Sequence, residues 1–254
     1  MVSVSIVTYN SADVIGRLLE SLFLQTKGTE LAVFVVDNGS VDGKAALVRE
    51  QFPQVTVIEQ DNRGFGGGHN AVLSQLRSEY HAMINPDITL NEDVLSELAA
   101  YMDGDPTVAI TCPLIKNEDG TVQDVPRKNP NFRYVLSGKL QKYSRYFRKK
   151  RIEYTMSDAD TSAPIDVEFC TGCFLFIRTD VFKTLGGFDE RFFLYCEDAD
   201  LTRRARRFGK ATCMPQAVAT HAWERASYHN PKLFRIHLKS LWLYFRKWRK
   251  EKDV

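Results

Sequence analysis

Four short apolar runs in the first 84 residues each end in polar residues, and a helical pattern separates each from the next. Val2–Val7 runs into Thr8-Tyr9-Asn10, and Leu31–Val36 into Asp37-Asn38. Val55–Ile58 leads to Asp61-Asn62, and Ala82–Ile84 to Asn85-Pro86-Asp87. Between the runs, Ala12–Gln25 places Ile15, Leu18, Leu19 and Leu22 on one helical face, and Lys44–Phe52 is a helix closed by Pro53. His69–Glu79 and Glu92–Asp103 read as two further helices, the second capped by Asn91 with Asp93 in its first turn. This alternation predicts an α/β fold, a mostly parallel sheet with helices on both faces. In such a sheet, ligands bind in the crevice beyond the carboxyl ends of the strands. Asn and Asp are ordinary turn formers, but four successive strand ends carrying them mark the crevice as a ligand site.

After residue 105 the rhythm changes to shorter strands, Val108–Thr111, Thr121–Val125 and Phe174–Ile177, with loops and a basic segment. A chain of 254 residues with 44% apolar content suits one large α/β domain or two small ones. Its net charge of +2 hides an asymmetry. Residues 139–151 carry seven basic residues and no acid, and residues 232–252 carry eight and one acid, Glu251. Together these segments hold +14, so the rest of the chain carries −12. An acidic body with two basic, aromatic-rich patches suits an anionic membrane surface, and argues against a nucleic-acid partner. In residues 226–254, Phe234, Leu238, Leu241, Phe245 and Trp248 share one helical face, with Trp242 and Tyr244 suited to a headgroup interface. The same helix could instead dock on the domain or on a second copy in a homodimer.

Five cysteines and no signal peptide before VSVSIV point to a reducing, cytoplasmic compartment. Cys170 and Cys173 form a CxxC, but no second CxxC or His pair completes a zinc site, so two buried free thiols are expected. No apolar run is long enough to span a bilayer, which takes roughly 18–20 residues.

Two stretches carry the chemistry. In Gly186–Gly209, an aromatic run delivers Glu197, Asp198 and Asp200 to the start of a basic helix. Carboxylates ending an apolar segment are costly unless they face a cavity, a metal or a proton to be abstracted. In Asn62–Asn70, glycines precede a helix and could bring backbone N–H groups to an anion. His69 breaks the dinucleotide pattern GxGxxG, and no phosphate-binding GxxxxGK[ST] occurs, which excludes those two enzyme classes.

Six motifs in order, VSIVTYN, VVDNGSVDG, NRGFGGGHN, INPD, TGCFLFIR and GGFDERFFLYCEDADLTRRARRFG, resemble the inverting family 2 glycosyltransferases of the GT-A fold. That family uses nucleotide-sugar donors on a Rossmann-like nucleotide-binding sheet. The NPD and FDERFFLYCEDADL variants look like bacterial rhamnosyltransferases of O-antigen and cell-wall polysaccharide assembly. The resemblance implies a GT-A domain over residues 1–225, split into a nucleotide-sugar half (1–105) and an acceptor and catalytic half (106–225), followed by the basic helix of 226–254.

It also implies roles. Thr8, Tyr9, Asn10, Asp37, Asn38, Gly64, Asn70, Asn85 and Asp87 would form the donor site. Asp87 and His221 would hold a divalent metal, Mg²⁺ or Mn²⁺, with Asn85 standing where the family has a first acid. Asp198 would be the base, with Glu197 and Trp223 on the acceptor side. A carboxylate that takes the acceptor's proton opposite the leaving group gives inversion in one displacement. Asp198 at a helix start is expected to stay ionised, favoured by the dipole and opposed by Glu197 and Asp200. Asp200 could cap the helix or pair with Arg203 or Arg204. The implied reaction moves L-rhamnose from dTDP-rhamnose to a polyprenyl-diphosphate-linked glycan at the inner face of the plasma membrane. A UDP-sugar transferase, for example galactofuranosyl, and a catalytically silent nucleotide-sugar-binding scaffold are the alternatives.

Overall fold

The alternating Val2, Val4 and Ile6 side chains are buried on one face of the first strand, while Ser3 and Ser5 are buried on the other. A strand buried on both sides belongs in the middle of a sheet. The structure, a computed structural model, describes residues 1–10, 12–41, 45–123, 126–222 and 231–249. In chain order the first half runs β1 (Val2–Thr8), α1 (Ala12–Gln25), β2 (Leu31–Asp37), α2 (Ala45–Gln51), β3 (Thr56–Glu59), α3 (Gly64–Asn70), β4 (Tyr80–Ile84), β5 (Ile88–Leu90) and α4 (Val94–Gly104). Then come β6 (Val108–Lys116), β7 (Pro126–Arg127), α5 (Phe132–Leu140), α6 (Arg145–Thr155), β8 (Ile165–Asp166) and β9 (Phe169–Cys170). The chain closes with β10 (Phe174–Arg178), α7 (Thr179–Thr184), α8 (Glu197–Ala205), β11 (Lys210–His221) and α9 (Pro231–Trp248).

One sheet in the order β3-β2-β1-β4-β10-β6-β11-β5, with β8 on β11, joins both halves of the chain. β3, β2, β1 and β4 are parallel, as the alternation predicts, and so are β6 and β11. β10, β5 and β8 enter antiparallel, from the region where helical crossovers give way to short connections. β7 and β9 form a separate two-stranded ribbon.

Several local expectations are corrected. α4 starts later than expected, and Asp93 is its cap, accepting from Ser96 N–H at 3.2 Å. Asn91 instead donates to Thr220 Oγ1. No strand covers the described part of Thr121–Val125; Val122 makes one bridge to Lys116, and the rest lies outside the described residues. α3 begins at Gly64 rather than after the glycines, and turns follow it where His69–Glu79 was expected to be helical. A Cβ on Gly66 would stand 2.6 Å from Phe188, and one on Gly68 2.6 Å from Val7. These glycines lie within a short helix and let it pack close against its neighbours.

α9 is also turned from its expected orientation. Ser240, Tyr244 and Trp248 are buried, packed on a cluster that includes Phe169, Phe192, Cys196 and Ala199. Phe234 and Leu238 of the expected apolar stripe are exposed, as is Trp242. At 3.6 residues per turn, the docked face is centred about a quarter turn from that stripe. Tyr244 is therefore a core residue and not a headgroup anchor. All five cysteines are free thiols. Among the described residues, no helix is long and apolar enough to cross a membrane.

Candidate active site

Sheet register gathers the polar strand ends. Thr8 lies level with Asp37, and Ile84 at the end of β4 lies level with Ile6. Asn10 adopts a left-handed φ of 52°. Its N–H donates to Ser40 Oγ (2.9 Å), and its side-chain oxygen accepts from Val41 N–H (3.0 Å). Asp37 Oδ1 accepts from Ser40 N–H (3.1 Å), so the loops after β1 and β2 form one wall. Tyr9 is exposed on this wall, and the Thr8 hydroxyl is buried without a protein partner.

Three of the expected donor residues serve the frame. The Asn38 amide donates to Asn62 Oδ1 (3.2 Å) and Gly64 O (2.9 Å), and its oxygen accepts from Gln60 and Arg63, which uses its hydrogen-bonding capacity. Asn70 latches the 188–190 segment through Phe188 N–H, Phe188 O and Glu190. Gly64 has φ +78°, and a Cβ there would stand 2.1 Å from Phe193 O. Its hydrogen atom therefore admits the loop leading to the carboxylates.

The second half of the chain supplies what the parallel strands lack. His221 at the end of β11 is level with Ile88 of β5, which places its Nε2 3.2 Å from Asp87 Oδ2. Its Nδ1 lies 3.1 Å from Gln123 Oε1. With that nitrogen donating to Gln123, Nε2 presents its lone pair toward Asp87. Asp87 Oδ1 is buried with no hydrogen-bond partner among the described residues. An orphaned carboxylate oxygen beside an oriented imidazole suits a divalent cation. No group of three or more His, Cys, Asp and Glu that could hold one occurs among the described residues. Two protein ligands with the remainder from a phosphorylated substrate is the usual arrangement for Mg²⁺. Asn85 sits in the same turn, its backbone N–H donating to Cys173 O (2.9 Å).

That contact leads to Asp198. Gly172, next to Cys173, donates its N–H to Asp198 Oδ2 at 2.8 Å, and Ala199 N–H reaches Asp198 Oδ1 at 2.8 Å. Burial pushes the Asp198 carboxyl above its usual range, and the Gly172 and Ala199 N–H groups and the Arg127 charge pull it back. Burial, then the Asp198 charge, push Glu197 well up, and Glu197 Oε2 has no partner. Between the two acids the anion belongs on Asp198, where the donors are. Asp200 does not compete. It is fully buried and held by Arg204 Nε (2.8 Å), Lys247 Nζ (2.6 Å) and Trp248 Nε1 (2.9 Å). Cys173 feels both centres: burial and the charges of Asp87 and Asp198 raise its thiol to about 11.

Trp223 lies outside the described residues. Arg127, Gly172 and Gln123 were not singled out from the sequence. Gly172 lies within the TGC motif, whereas nothing local marks Arg127 or Gln123.

Residues 3–186 match the family described as Glycosyl transferase family 2. The chain is 28% identical to rhamnosyltransferase WbbL of Escherichia coli K12, over 96% of this chain and 92% of that protein. It is 26% identical to the N-acetylglucosaminyl-diphospho-decaprenol L-rhamnosyltransferase of Mycobacterium tuberculosis, over 94% of this chain and 81% of that one. Among solved structures, it is similar to the Pyrobaculum calidifontis mannosyltransferase PcManGT in complex with GDP-Man and Mn²⁺. That match has TM-score 0.70 and 21% identity, covering all of this chain and 65% of the other. GalNAc-T7 with UDP, GalNAc and Mn²⁺ matches at TM-score 0.68 and 15% identity, over 99% of this chain and 48% of that one. Polar strand ends, an Asp–His pair and a carboxylate held by backbone donors thus sit on a GT-A frame, and the chain belongs to glycosyl transferase family 2.

Proposed function

We propose that this glycosyltransferase moves L-rhamnose from dTDP-L-rhamnose, with inversion, to a hydroxyl of a lipid-linked glycan in surface-polysaccharide assembly. The observation that carries the mechanism is the pair of N–H donors on Asp198, which localise a carboxylate anion at the start of α8. Asp198 accepts the acceptor hydroxyl's proton as the new C–O bond forms at the anomeric carbon and the bond to the diphosphate breaks. Proton transfer of this kind contributes about 10²–10⁴-fold. Burial and the Asp198 charge favour the protonated form of Glu197, which limits the repulsion the base feels. Asp87 and His221 would hold Mg²⁺ or Mn²⁺, whose charge offsets that developing on the leaving diphosphate. Thr8, Tyr9 and Asp37 line the nucleotide side, and Asn85 sits beside the metal ligand.

The names of both rhamnosyltransferase relatives support the sugar, and that of the mycobacterial relative supports an acceptor carried on a diphospholipid. Such an acceptor places the enzyme on the cytoplasmic face of the plasma membrane. Calorimetry with dTDP-rhamnose, UDP-galactose and UDP-galactofuranose, with and without Mg²⁺ or Mn²⁺, tests the donor. Metal-dependent binding of dTDP-rhamnose alone is expected. Preference for a UDP-sugar would overturn the rhamnosyl assignment, and binding of none would favour a silent scaffold.

A further inference from the structure

α9 has two faces with different work. Its inner face is bonded to the segment that carries the base. Ser240 Oγ donates to Leu194 O (2.7 Å), the His237 ring lies 4.9 Å from that of Tyr195, and Lys247 bridges Asp189 (2.7 Å) and Asp200 (2.6 Å). Tyr195 and Cys196, immediately before Glu197, both have positive φ, 71° and 65°. Two consecutive non-glycine residues in that region persist only where their surroundings hold them. Removing α9 would also strip two of the three partners from the fully buried Asp200 carboxylate. The helix therefore stays docked.

The outer face is exposed among the described residues. Phe234, Leu238 and Trp242, spaced four apart, are all exposed, at 45%, 51% and 60%. Lys232, Arg235, Lys239, Arg246 and Arg249 are exposed around them, and no acid occurs from 231 to 249. Arg246 lies over the Trp242 ring at 5.1 Å. Lys139 of α5 lies 5.3 Å from the Phe234 ring, which brings the acid-free, basic segment from α5 into α6 alongside the start of α9. Aromatic and aliphatic side chains ringed by cations fit the headgroup region of an anionic leaflet.

We infer that the outer face of α9 seats on an anionic bilayer, and that α9 holds the catalytic segment within about one helix diameter, roughly 10–12 Å, of it. This rests on the reading that the acceptor is lipid-linked, and it narrows that acceptor to one whose reactive hydroxyl stands close to the headgroups. Chains bearing a long glycan would present theirs too far out.

The seat is tested first by co-sedimentation, comparing phosphatidylcholine vesicles with vesicles containing phosphatidylglycerol. The wild-type chain is expected to bind the anionic vesicles about tenfold or more tightly than neutral ones, and R235E/K239E/W242S to lose that preference while keeping its melting temperature. Transfer is then measured to N-acetylglucosaminyl diphosphate on a vesicle-embedded polyprenyl chain and on a short, water-soluble alkyl chain. The triple variant should raise KM for the embedded acceptor about tenfold and leave kcat/KM for the soluble one within about twofold. Equal binding to both vesicle types, or an unchanged KM, overturns the seat. A wild-type dimer that the variant dissociates, without vesicle binding, assigns the face to a second copy and overturns it too. Intact vesicle binding with no transfer to either acceptor leaves the seat standing and overturns the proposed acceptor instead.

Discussion

Asp87 and Asp198 are both carboxylates of the candidate site, yet their surroundings are opposite. Asp198 has both oxygens met by backbone N–H groups, whereas Asp87 has one oxygen against His221 and the other unmet among the described residues. Fixed N–H dipoles hold a charge in place without neutralising it, which suits a group that must accept a proton. An unmet buried oxygen is costly until something cationic arrives, which suits a group that waits for a metal and its phosphates. The two are tied through adjacent residues, Gly172 to Asp198 and Cys173 to Asn85, so neither can move far without the other.

The largest effect that separates them is on turnover. Asp198→Asn keeps the shape and removes the proposed base, and kcat should fall by about 10²–10⁴-fold. Calorimetric donor affinity should stay near wild type. Asp87→Asn should do the reverse, abolishing the dependence of donor affinity on Mg²⁺ or Mn²⁺. Gln123→Ala sharpens the contrast, because Gln123 bonds His221 and not Asp87, and its loss should cost about 10–100-fold in metal affinity. Transfer by Asp198→Asn at an undiminished rate would move the base elsewhere.

How much of this was legible in the sequence follows the same division. The strand ends on the Asp87 side are local features: α1 spans the expected residues, and Asp37, Asn85 and Asp87 stand where alternation put them. Asp198 was visible as part of an acidic run, but its donors are 26 residues away at Gly172 and adjacent at Ala199, and only the first defines the site. Arg127 and Gln123 act through contacts that no period or spacing encodes. The glycine stretch misled on where α3 begins, because glycines that admit close packing within a helix look the same as glycines ahead of one. VSVSIV read as an apolar strand, and its serines proved to hold buried histidines. Ser3 lies 2.8 Å from His81 Nδ1, and Ser5 bridges His81 Nε2 (2.9 Å) and His69 Nδ1 (2.7 Å).

Those histidines give the two regions opposite responses to acid. Burial lowers His81 to about 3 and, with His81 beside it, lowers His69 well below 6.5. Below the unfolded value near 6.5, the unfolded chain takes up protons that the folded chain refuses, so stability falls as pH falls. His81 alone contributes a slope of about 1.4 kcal/mol per pH unit in that window. Glu197, raised by burial, has the other sign: the folded chain binds its proton more readily, so this group opposes stability as pH rises through the unfolded value of 4.5. Denaturant titrations from pH 7 to pH 5 should show net destabilisation. His81→Gln, which can still donate and accept, should flatten the curve, and Glu197→Gln should raise stability at pH 7. A His81→Gln curve as steep as the wild-type one would mean that His81 is protonated in the folded chain.

The smallest expected effects come from α9's hold on the base-side segment. Trp248→Phe keeps the packing on Tyr244 and removes one donor from Asp200, whose remaining partners are Arg204 and Lys247. A hydrogen bond to a charged group contributes about 1.5–3 kcal/mol, so the chain should fold but melt earlier. Ser240→Ala removes the neutral bond to Leu194 O and should cost about 1 kcal/mol. Because Leu194 precedes the left-handed pair Tyr195-Cys196, this second change should reach the base and leave the metal pair untouched. kcat should drop a few fold, roughly the value of one hydrogen bond, with metal-dependent donor affinity unaltered. A loss of donor affinity instead would show that α9 supports both carboxylates, and that the division between them is narrower than their hydrogen bonds suggest.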